Sequence, residues 1–113
     1  MLGAAGVLHD TGTLVDYNDH HKHGHYLVLS AGLPGYTHRE LAVVATLVRS
    51  HRKRLRAPGP LAPLLADGDR ERIRRMAACL RLAEALERTR DRAVRRLHAD
   101  RVDGVPRVRL EVD

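Results

Sequence analysis

The segment from Thr37 to Leu55 constrains the fold more than any other part of the chain. Its first residues, Thr37-His38-Arg39-Glu40, form a capping box, in which the Thr hydroxyl and the Glu carboxylate satisfy free backbone donors at a helix start. Apolar residues then recur at helical spacing, which predicts a helix over residues 38–55. The stripe on one face of this helix consists of Leu41, Val44, Val48, His51 and Leu55. Such a stripe must be covered by other helices, so we expect a helical bundle.

Three further helices are predicted from periodicity and from helix-breaking residues. Numbered in chain order, with the helix described above as the third, the first is the end of a buried helix that stops at Thr11-Gly12. The second helix is followed by Gly32, and the fourth can be capped by Asp69. The four predicted helices cover residues 2–8, about 20–31, about 38–55 and about 70–91. Pro58-Gly59-Pro60 closes the third helix, and a short helical turn is expected within residues 61–67.

The end of the chain has the period of a strand instead. Val108, Leu110 and Val112 alternate with charged residues, and Asp103-Gly104 before them is a hairpin turn signal. The preceding strand is predicted at about residues 94–102. The expected fold is therefore mainly α, with a helical domain over residues 1–92 and a β-hairpin over residues 93–113 that begins a following small domain.

Charge and aromatic content narrow the classes of partner. The chain has 113 residues, enough for one small domain, and contains no Phe or Trp, so its core must be built from Leu, Val and Ala. Twenty Lys and Arg residues against 14 Asp and Glu residues give a formal charge of +6, which favours phosphates, polyanions or nucleic acid. The few aromatic residues disfavour stacking on single-stranded nucleic acid, and no helix-turn-helix signature is present, so nucleic acid is the least favoured partner.

Cysteine use and hydropathy indicate the cellular compartment. Cys79 is the one cysteine of the chain, which excludes an internal disulfide and a multi-cysteine zinc site. It lies among apolar residues of the fourth helix, so a buried thiol is expected. No apolar run approaches transmembrane length and the start of the chain lacks a basic signal-peptide region, which predicts a cytoplasmic protein without a membrane partner.

Histidine and acidic side chains recur on the successive helices. His9-Asp10 follows the first helix, a cluster begins the second, and His51 lies on the inward stripe of the third. The cluster consists of His20, His21, His23 and His25; at helical spacing either His20 with His23 or His21 with His25 could chelate one ion. Imidazole and carboxylate are good ligands for divalent metals. Taken singly, the same residues also have an explanation without a metal. The cluster can be the exposed polar start of a helix, and His51 can be a hydrogen-bonded core histidine.

One acidic residue is predicted to face the core. Glu84 shares a face of the fourth helix with Ile73, Ala77 and Leu80. A buried carboxylate is costly unless it is paired or coordinated, so Glu84 should meet a metal, an Arg or a protonated His.

Two segments are also rich in donors for phosphate oxygens. Lys22 stands within the histidine cluster, where it would oppose a nearby cation but would help to hold a phosphate. His51 is surrounded in sequence by Ser50, Arg52, Lys53, Arg54 and Arg56. Charged donors of this kind form strong hydrogen bonds to phosphate, so both segments are candidate anion sites.

Taken together, the order of these residues resembles the HD-domain metal phosphohydrolases. A narrower resemblance covers nearly the whole chain: it is similar to the C-terminal HD-like domain of the exopolyphosphatase and guanosine pentaphosphate phosphatase (Ppx/GppA) family. The most specific blocks are His20-His21-Lys22-His23-Gly24 with Tyr26-Leu27, and Val48-Arg49-Ser50-His51-Arg52-Lys53. Further blocks are Leu8-His9-Asp10-Thr11-Gly12, Leu33-Pro34-Gly35-Tyr36 and Leu80 to Arg88.

The resemblance implies an accessory role for this chain. In that family, catalysis belongs to N-terminal actin-like domains, and nothing in this sequence resembles their phosphate-binding loops. The HD-like domain is understood to extend the polyphosphate channel and to support dimerisation. We therefore expect a module that binds inorganic polyphosphate or another phosphate-rich anion and that forms a homo-oligomer or docks on the missing domains. The residues assigned to polyphosphate are His20, His21, Lys22, His23, Arg49, His51, Arg52 and Lys53.

The alternative is an autonomous metal-dependent HD phosphohydrolase. In that hypothesis His9, Asp10, His23 (or His20), His51 and Glu84 hold Mg²⁺ or Mn²⁺, which activates water for attack at phosphorus. Two departures weaken it: the helix that carries a further metal-binding His in HD domains is absent before His9, and Glu84 stands where Asp is usual. A bundle without its first helix would leave an apolar stripe uncovered, which predicts self-association or a fragment of a longer protein.

Overall fold

A computed structural model of the chain describes residues 1–55 and 59–113, and the fold is mainly α with a C-terminal β-hairpin, as predicted. The α-helices are α1 (Leu2–Leu8), α2 (His20–Ala31), α3 (His38–Ser50) and α4 (Asp69–Leu86). Two 3₁₀ helices lie at Thr11–Leu14 and Gly59–Leu64, the second overlapping the short turn expected at residues 61–67. The strands are β1 (Val94–Val102) and β2 (Val105–Val112).

The described residues form two compact units, Met1–Arg81 and Leu82–Asp113. The first contains α1 to α3 and most of α4, and the second contains the end of α4 and the hairpin. The division between residues 92 and 93 that was expected from the sequence stays a prediction.

Helix α3 is the centre of the first unit. Every residue from Ala42 to Val48 is buried, and both α1 and α2 contact this helix. The predicted Leu, Val and Ala core is confirmed, with Ile73 added from α4. Its members are Ala5, Val28, Val43, Val44, Ala45, Leu47, Val48, Ile73, Ala77 and Leu80. Each fully buried Val or Leu contributes about 1.5–3 kcal/mol, so α3 supplies much of the stabilisation of this unit.

The ends of α3 follow from side-chain hydrogen bonds. The capping box is confirmed: Glu40 N–H donates to the Thr37 hydroxyl at 3.2 Å and Thr37 N–H donates to Glu40 Oε2 at 2.8 Å. The predicted C-terminus at Leu55 is wrong, because α3 ends at Ser50. His51 Nδ1 donates to the Val48 carbonyl at 2.6 Å. A continuing helix would give that carbonyl to the N–H of Arg52, so the imidazole acts as a C-terminal cap.

Helix α4 also ends earlier than residue 91. It stops at Leu86, and both Arg90 (φ 55°) and Arg92 (φ 56°) adopt left-handed backbone conformations that a right-handed helix excludes. Pro58, expected to close α3, lies outside the described residues. The buried thiol expected for Cys79 is also wrong, since this residue is exposed. At about 100° per residue Cys79 points away from Ala77, which belongs to the buried face.

At the other end of α4 an ion pair between a buried carboxylate and a half-exposed guanidinium joins it to α3. Asp69 is only 1 % exposed, and its carboxylate accepts two hydrogen bonds from the Arg39 guanidinium, at 2.7 and 2.8 Å, and one from Ala66 N–H at 2.9 Å. Planar bidentate pairing of this kind fixes both distance and orientation. The residue expected to cap α4 therefore ties the start of α4 to the start of α3.

The second unit contains the predicted hairpin, with β1 and β2 antiparallel and Leu97 opposite Leu110. Asp103 (φ 50°) and Gly104 (φ 79°) form its turn, and two left-handed residues are the requirement of a type I′ turn. Within the described residues no helix is long and apolar enough to cross a membrane.

Candidate functional site

The start of α2 and the end of α3 meet at one end of the first unit, and the 9–14 segment packs against them. Close approach of this segment depends on Gly12, because a Cβ at that position would lie 1.8 Å from the backbone oxygen of His20. Gly24 plays a similar role between α2 and α3, where a Cβ would lie 2.8 Å from Val48 Cγ1. Two glycines therefore allow the tight packing that brings three separate segments to one site.

Three side chains from those segments form a cluster that could hold a metal ion: Asp10, His20 and His51. The Nε2 atoms of His20 and His51 are 3.0 Å apart, and Asp10 Oδ1 lies 3.4 Å from the first and 3.9 Å from the second. Both imidazoles are buried, whereas the Asp10 side chain is 35 % exposed. The cluster is thus enclosed by the histidines and reached from solvent on the carboxylate side.

Backbone carbonyls orient each imidazole near the cluster. His20 Nδ1 donates to the Tyr17 carbonyl at 2.9 Å, and His51 Nδ1 donates to the Val48 carbonyl at 2.6 Å. His9 follows the same rule, with Nδ1 donating to the Gly6 carbonyl at 2.6 Å and Nε2 at 3.5 Å from Asp10 Oδ2. Because a carbonyl oxygen can only accept, Nδ1 carries the proton in all three rings and Nε2 faces the cluster.

Burial favours the neutral form of His51. Removal from water lowers the pKa of its imidazole, and the nearby His9 and His20 lower that pKa further. A neutral imidazole is the form that ligates metals, so this shift favours His51 as a ligand.

A small cavity beside the cluster is lined by cationic side chains from the start of α2 and from the end of α3 with the segment after it. It is lined by His21, Lys22, Arg49, Ser50, Lys53 and Arg54, and its volume is about 80 Å³. Pockets for drug-sized ligands are about 300–1,000 Å³, so this cavity suits a single anionic group. Lys53 and burial together lower the pKa of His21, with burial the larger cause. We call this cavity, with its six lining residues, the basic cavity.

An open cleft of about 420 Å³ adjoins this region and is lined by Tyr17, Asn18, Asp19, His20, His21, Arg52 and Lys53. Arg52 donates to the Tyr17 hydroxyl at 2.9 Å and lies over the Tyr17 ring, 5.5 Å from its centroid. Asp19 stands between two cations, 3.0 Å from Lys22 Nζ and 3.8 Å from Lys53 Nζ. Hydrogen bonding to Lys22 lowers the pKa of Asp19, so it is a carboxylate at neutral pH.

The structure thus brings together part of each predicted residue set. Four of the residues assigned to polyphosphate line the basic cavity: His21, Lys22, Arg49 and Lys53. Of the residues assigned to a metal, Asp10 and His51 belong to the cluster with His20, and His9 lies beside them. His23 is half-buried on α2 and is not a member of the cluster. Glu84 is half-buried in the second unit, and its assignment stays a prediction.

Sequence reasoning missed Tyr17 and Asp19. Nothing in their spacing marks them, because they come from the irregular segment before α2 and meet Arg52 and Lys53 only through the fold. Ser50 and Arg54 had a signal, since they flank His51 in the basic segment. His25, counted among possible chelators, instead makes a hydrogen bond from Nδ1 to the Ala45 carbonyl at 2.8 Å.

Comparison with known proteins gives one family and several relatives. The family model described as "Ppx/GppA phosphatase, domain III" matches residues 1–113. The chain is 33% identical over 91 residues to a "Guanosine-5'-triphosphate,3'-diphosphate pyrophosphatase" of Aliivibrio fischeri, which is 80% of this chain and 18% of that protein. It is 42% identical over 55 residues, 49% of this chain, to a protein of the same name from Pseudoalteromonas atlantica, of which the match covers 11%. The chain therefore spans less than a fifth of these relatives, and no solved structure matches it.

Proposed function

The chain belongs to the Ppx/GppA phosphatase family, whose domain III it matches throughout, and on this premise we propose that it is an accessory module that binds inorganic polyphosphate. The observation that carries the proposal is the basic cavity, to which α2 contributes His21 and Lys22 while α3 and the segment after it contribute Arg49, Lys53 and Arg54. Cations from two elements converge there on a volume suited to one phosphate group, with Arg52 in the adjoining cleft.

The contacts of Asp19 support an anion at this position. Its carboxylate lies close to both Lys22 and Lys53, where an incoming phosphate would need to interact. Both members of the Asp19–Lys22 pair are about half exposed, and such pairs contribute only about 0.2–1 kcal/mol. A polyanion with several charges can therefore displace Asp19 and take over its two lysines.

We propose that hydrolysis belongs to other parts of such proteins. The relatives are named for a pyrophosphatase activity, but the chain corresponds to 11–18% of their length. The module would hold or guide the substrate for catalytic parts elsewhere in such proteins. Guanosine pentaphosphate, the substrate in the relatives' name, is the second ligand to be tested.

We also propose that the first unit associates with a second copy or with the remaining domains of a longer protein. Val7 and Leu14 are 81 % and 86 % exposed, and a partner that covered them would remove apolar area from water. Sedimentation analysis over a range of concentrations tests self-association, and a monomer at all concentrations would refute a second copy as the partner.

The experiment is a calorimetric titration of the chain with long-chain polyphosphate. Replacing Lys22, Arg52 and Lys53 together by Gln should weaken binding by about tenfold, since three exposed pairs of ~0.5 kcal/mol each are lost. The matched control replaces three exposed hairpin arginines, Arg96, Arg101 and Arg109, by Gln, which changes the net charge equally. If both triple variants lose affinity equally, the interaction depends on net charge alone. Unchanged polyphosphate affinity in the first variant would refute the assignment of Lys22, Arg52 and Lys53 to polyphosphate. DNA as an equally effective competitor would point to nucleic-acid binding.

A second candidate function is a metal-dependent phosphohydrolase, and the cluster of Asp10, His20 and His51 is the observation that favours it. The ion predicted from the sequence is Mg²⁺ or Mn²⁺, which when bound would supply activation of a water molecule for attack at phosphorus. Release of phosphate from a model phosphomonoester or from polyphosphate by the purified chain with Mn²⁺ tests it. No release above the level of an Asp10→Asn variant would exclude it.

A further inference from the structure

The basic cavity is bounded on its inner side by two buried residues. His21 is 6 % exposed and Ser50 is 4 % exposed, and both line the cavity. The Ser50 hydroxyl donates to the Thr46 carbonyl at 2.8 Å, so its proton is used within α3 and is not offered to a ligand. These two side chains therefore form an inner wall, and an anion can enter only from the side of the cationic residues.

The basic cavity also adjoins the open cleft. His21 and Lys53 line both spaces, which have volumes of about 80 Å³ and about 420 Å³. A ligand with several phosphate groups can place one group in the cavity and the following groups in the cleft. The inner wall leaves no space for a further group beyond the first.

The charge of the cavity favours one kind of phosphate group. None of its six described lining residues is acidic, and four of them are cationic: Lys22, Arg49, Lys53 and Arg54. A phosphate group with a single covalent attachment carries about −1.5 to −2 charges at neutral pH and offers three acceptor oxygens. A group in the interior of a phosphate chain carries less charge and has a covalent neighbour on both sides. Space and charge thus both favour the end group of a chain.

We propose that the basic cavity selects the terminal phosphate of a linear phosphate chain, while the next groups of the chain lie in the open cleft. This inference rests on the proposed function and deepens it, because it names a free chain end as the feature that is recognised. Arg49 and Arg54 line only the cavity and would contact the end group. Arg52 lines only the cleft and would contact an interior group.

Calorimetric titration of the chain with linear tripolyphosphate and with cyclic tetrametaphosphate tests the selection of an end. The two probes carry nearly the same negative charge at neutral pH, but the cyclic one has no terminal group. We expect the linear probe to bind about tenfold more tightly, the effect of one additional charge-assisted hydrogen bond.

Two variants with the same change of charge locate the selection. Arg49→Gln should reduce the preference for the linear probe several-fold, because it removes a donor from the cavity alone. Arg52→Gln is the matched control, which should weaken the binding of both probes and leave their ratio unchanged. Circular dichroism checks the fold, and the exposed Arg54→Gln replaces Arg49→Gln if the half-buried Arg49 is required for folding.

Equal affinity of the parent chain for the two probes would overturn the selection of an end. Binding of long-chain polyphosphate in the same buffer would then leave the proposed function intact, whereas failure of every phosphate probe to bind would overturn both. An equal fall of the linear-to-cyclic ratio in Arg49→Gln and Arg52→Gln would also overturn the placement of the end group in the basic cavity.

Discussion

His20 and His51 are 31 positions apart in the chain, yet their Nε2 atoms lie 3.0 Å from each other inside the first unit. Each imidazole also makes a hydrogen bond from Nδ1 to a carbonyl three residues before it, so both rings are oriented by their own segment before they meet. This pair connects the start of α2 to the end of α3, and the candidate metal site and the basic cavity are both built around that junction.

Gly12 controls the approach of the 9–14 segment to this junction. Gly12→Ala places a Cβ against the His20 carbonyl oxygen, a rigid backbone atom, so we expect a loss of about 3 kcal/mol or more in the free energy of unfolding. Gly3→Ala is the matched control, because a Cβ there meets nothing within 4 Å and α1 gains a better helix former, which should add about 0.5–1 kcal/mol. Urea denaturation measures both; similar values for the two variants would contradict the close packing at Gly12.

Asp69 is expected to make the stability of the first unit decrease at low pH. Hydrogen bonds from Arg39 and from the Ala66 backbone lower the pKa of its carboxyl from 3.8 to about 2 in the folded state. A depressed folded pKa contributes stability that is complete above about pH 4 and is lost as the pH falls toward 2. Asp69→Asn should therefore be less stable than the parent at pH 7 and should lose less further stability between pH 4 and pH 2. Thermal melts across this range provide the test, and parallel pH profiles for parent and variant would show that Asp69 does not contribute.

Asp19 is expected to compete with the proposed anion. Asp19→Asn removes the carboxylate between Lys22 and Lys53, so polyphosphate affinity should rise by about threefold to tenfold, corresponding to roughly 1 kcal/mol. Asp16→Asn is the control, because it removes the same charge from the same exposed segment but its carboxylate accepts from the Asn18 backbone instead. Equal gains in both variants would mean that the effect is one of net charge alone.

The capping box of α3 is expected to stabilise the helix at the centre of the core. Thr37→Ala removes the hydroxyl that accepts from Glu40 N–H and should cost about 1 kcal/mol. Thr37→Ser keeps the hydroxyl and should remain within ~0.5 kcal/mol of the parent. Chemical denaturation of both variants distinguishes them, and a stability of the Ala variant equal to that of Ser would show that the cap contributes nothing.

Most elements of secondary structure could be predicted because their causes are local. The capping box at Thr37, the limits of α2 and the Asp103-Gly104 turn each depend on a few neighbouring residues, and the structure agrees with all three. The predictions that failed involve the ends of helices and exposure. The end of α3 depends on the hydrogen bond that His51 makes to Val48, and the exposure of Cys79 depends on which face of α4 the first unit covers.

For the candidate site, the sequence alone determined the kinds of residue: imidazoles and carboxylates for a metal, and His, Lys and Arg side chains for phosphate. Only the tertiary structure decided which of them meet. It selected His20 over His23 as the partner of His51, and it placed Tyr17 and Asp19 beside the cations of the basic segments. The physical reason is packing, since the absence of a Cβ at Gly12 and Gly24 allows the segments to approach closely, and helical spacing by itself does not define that approach.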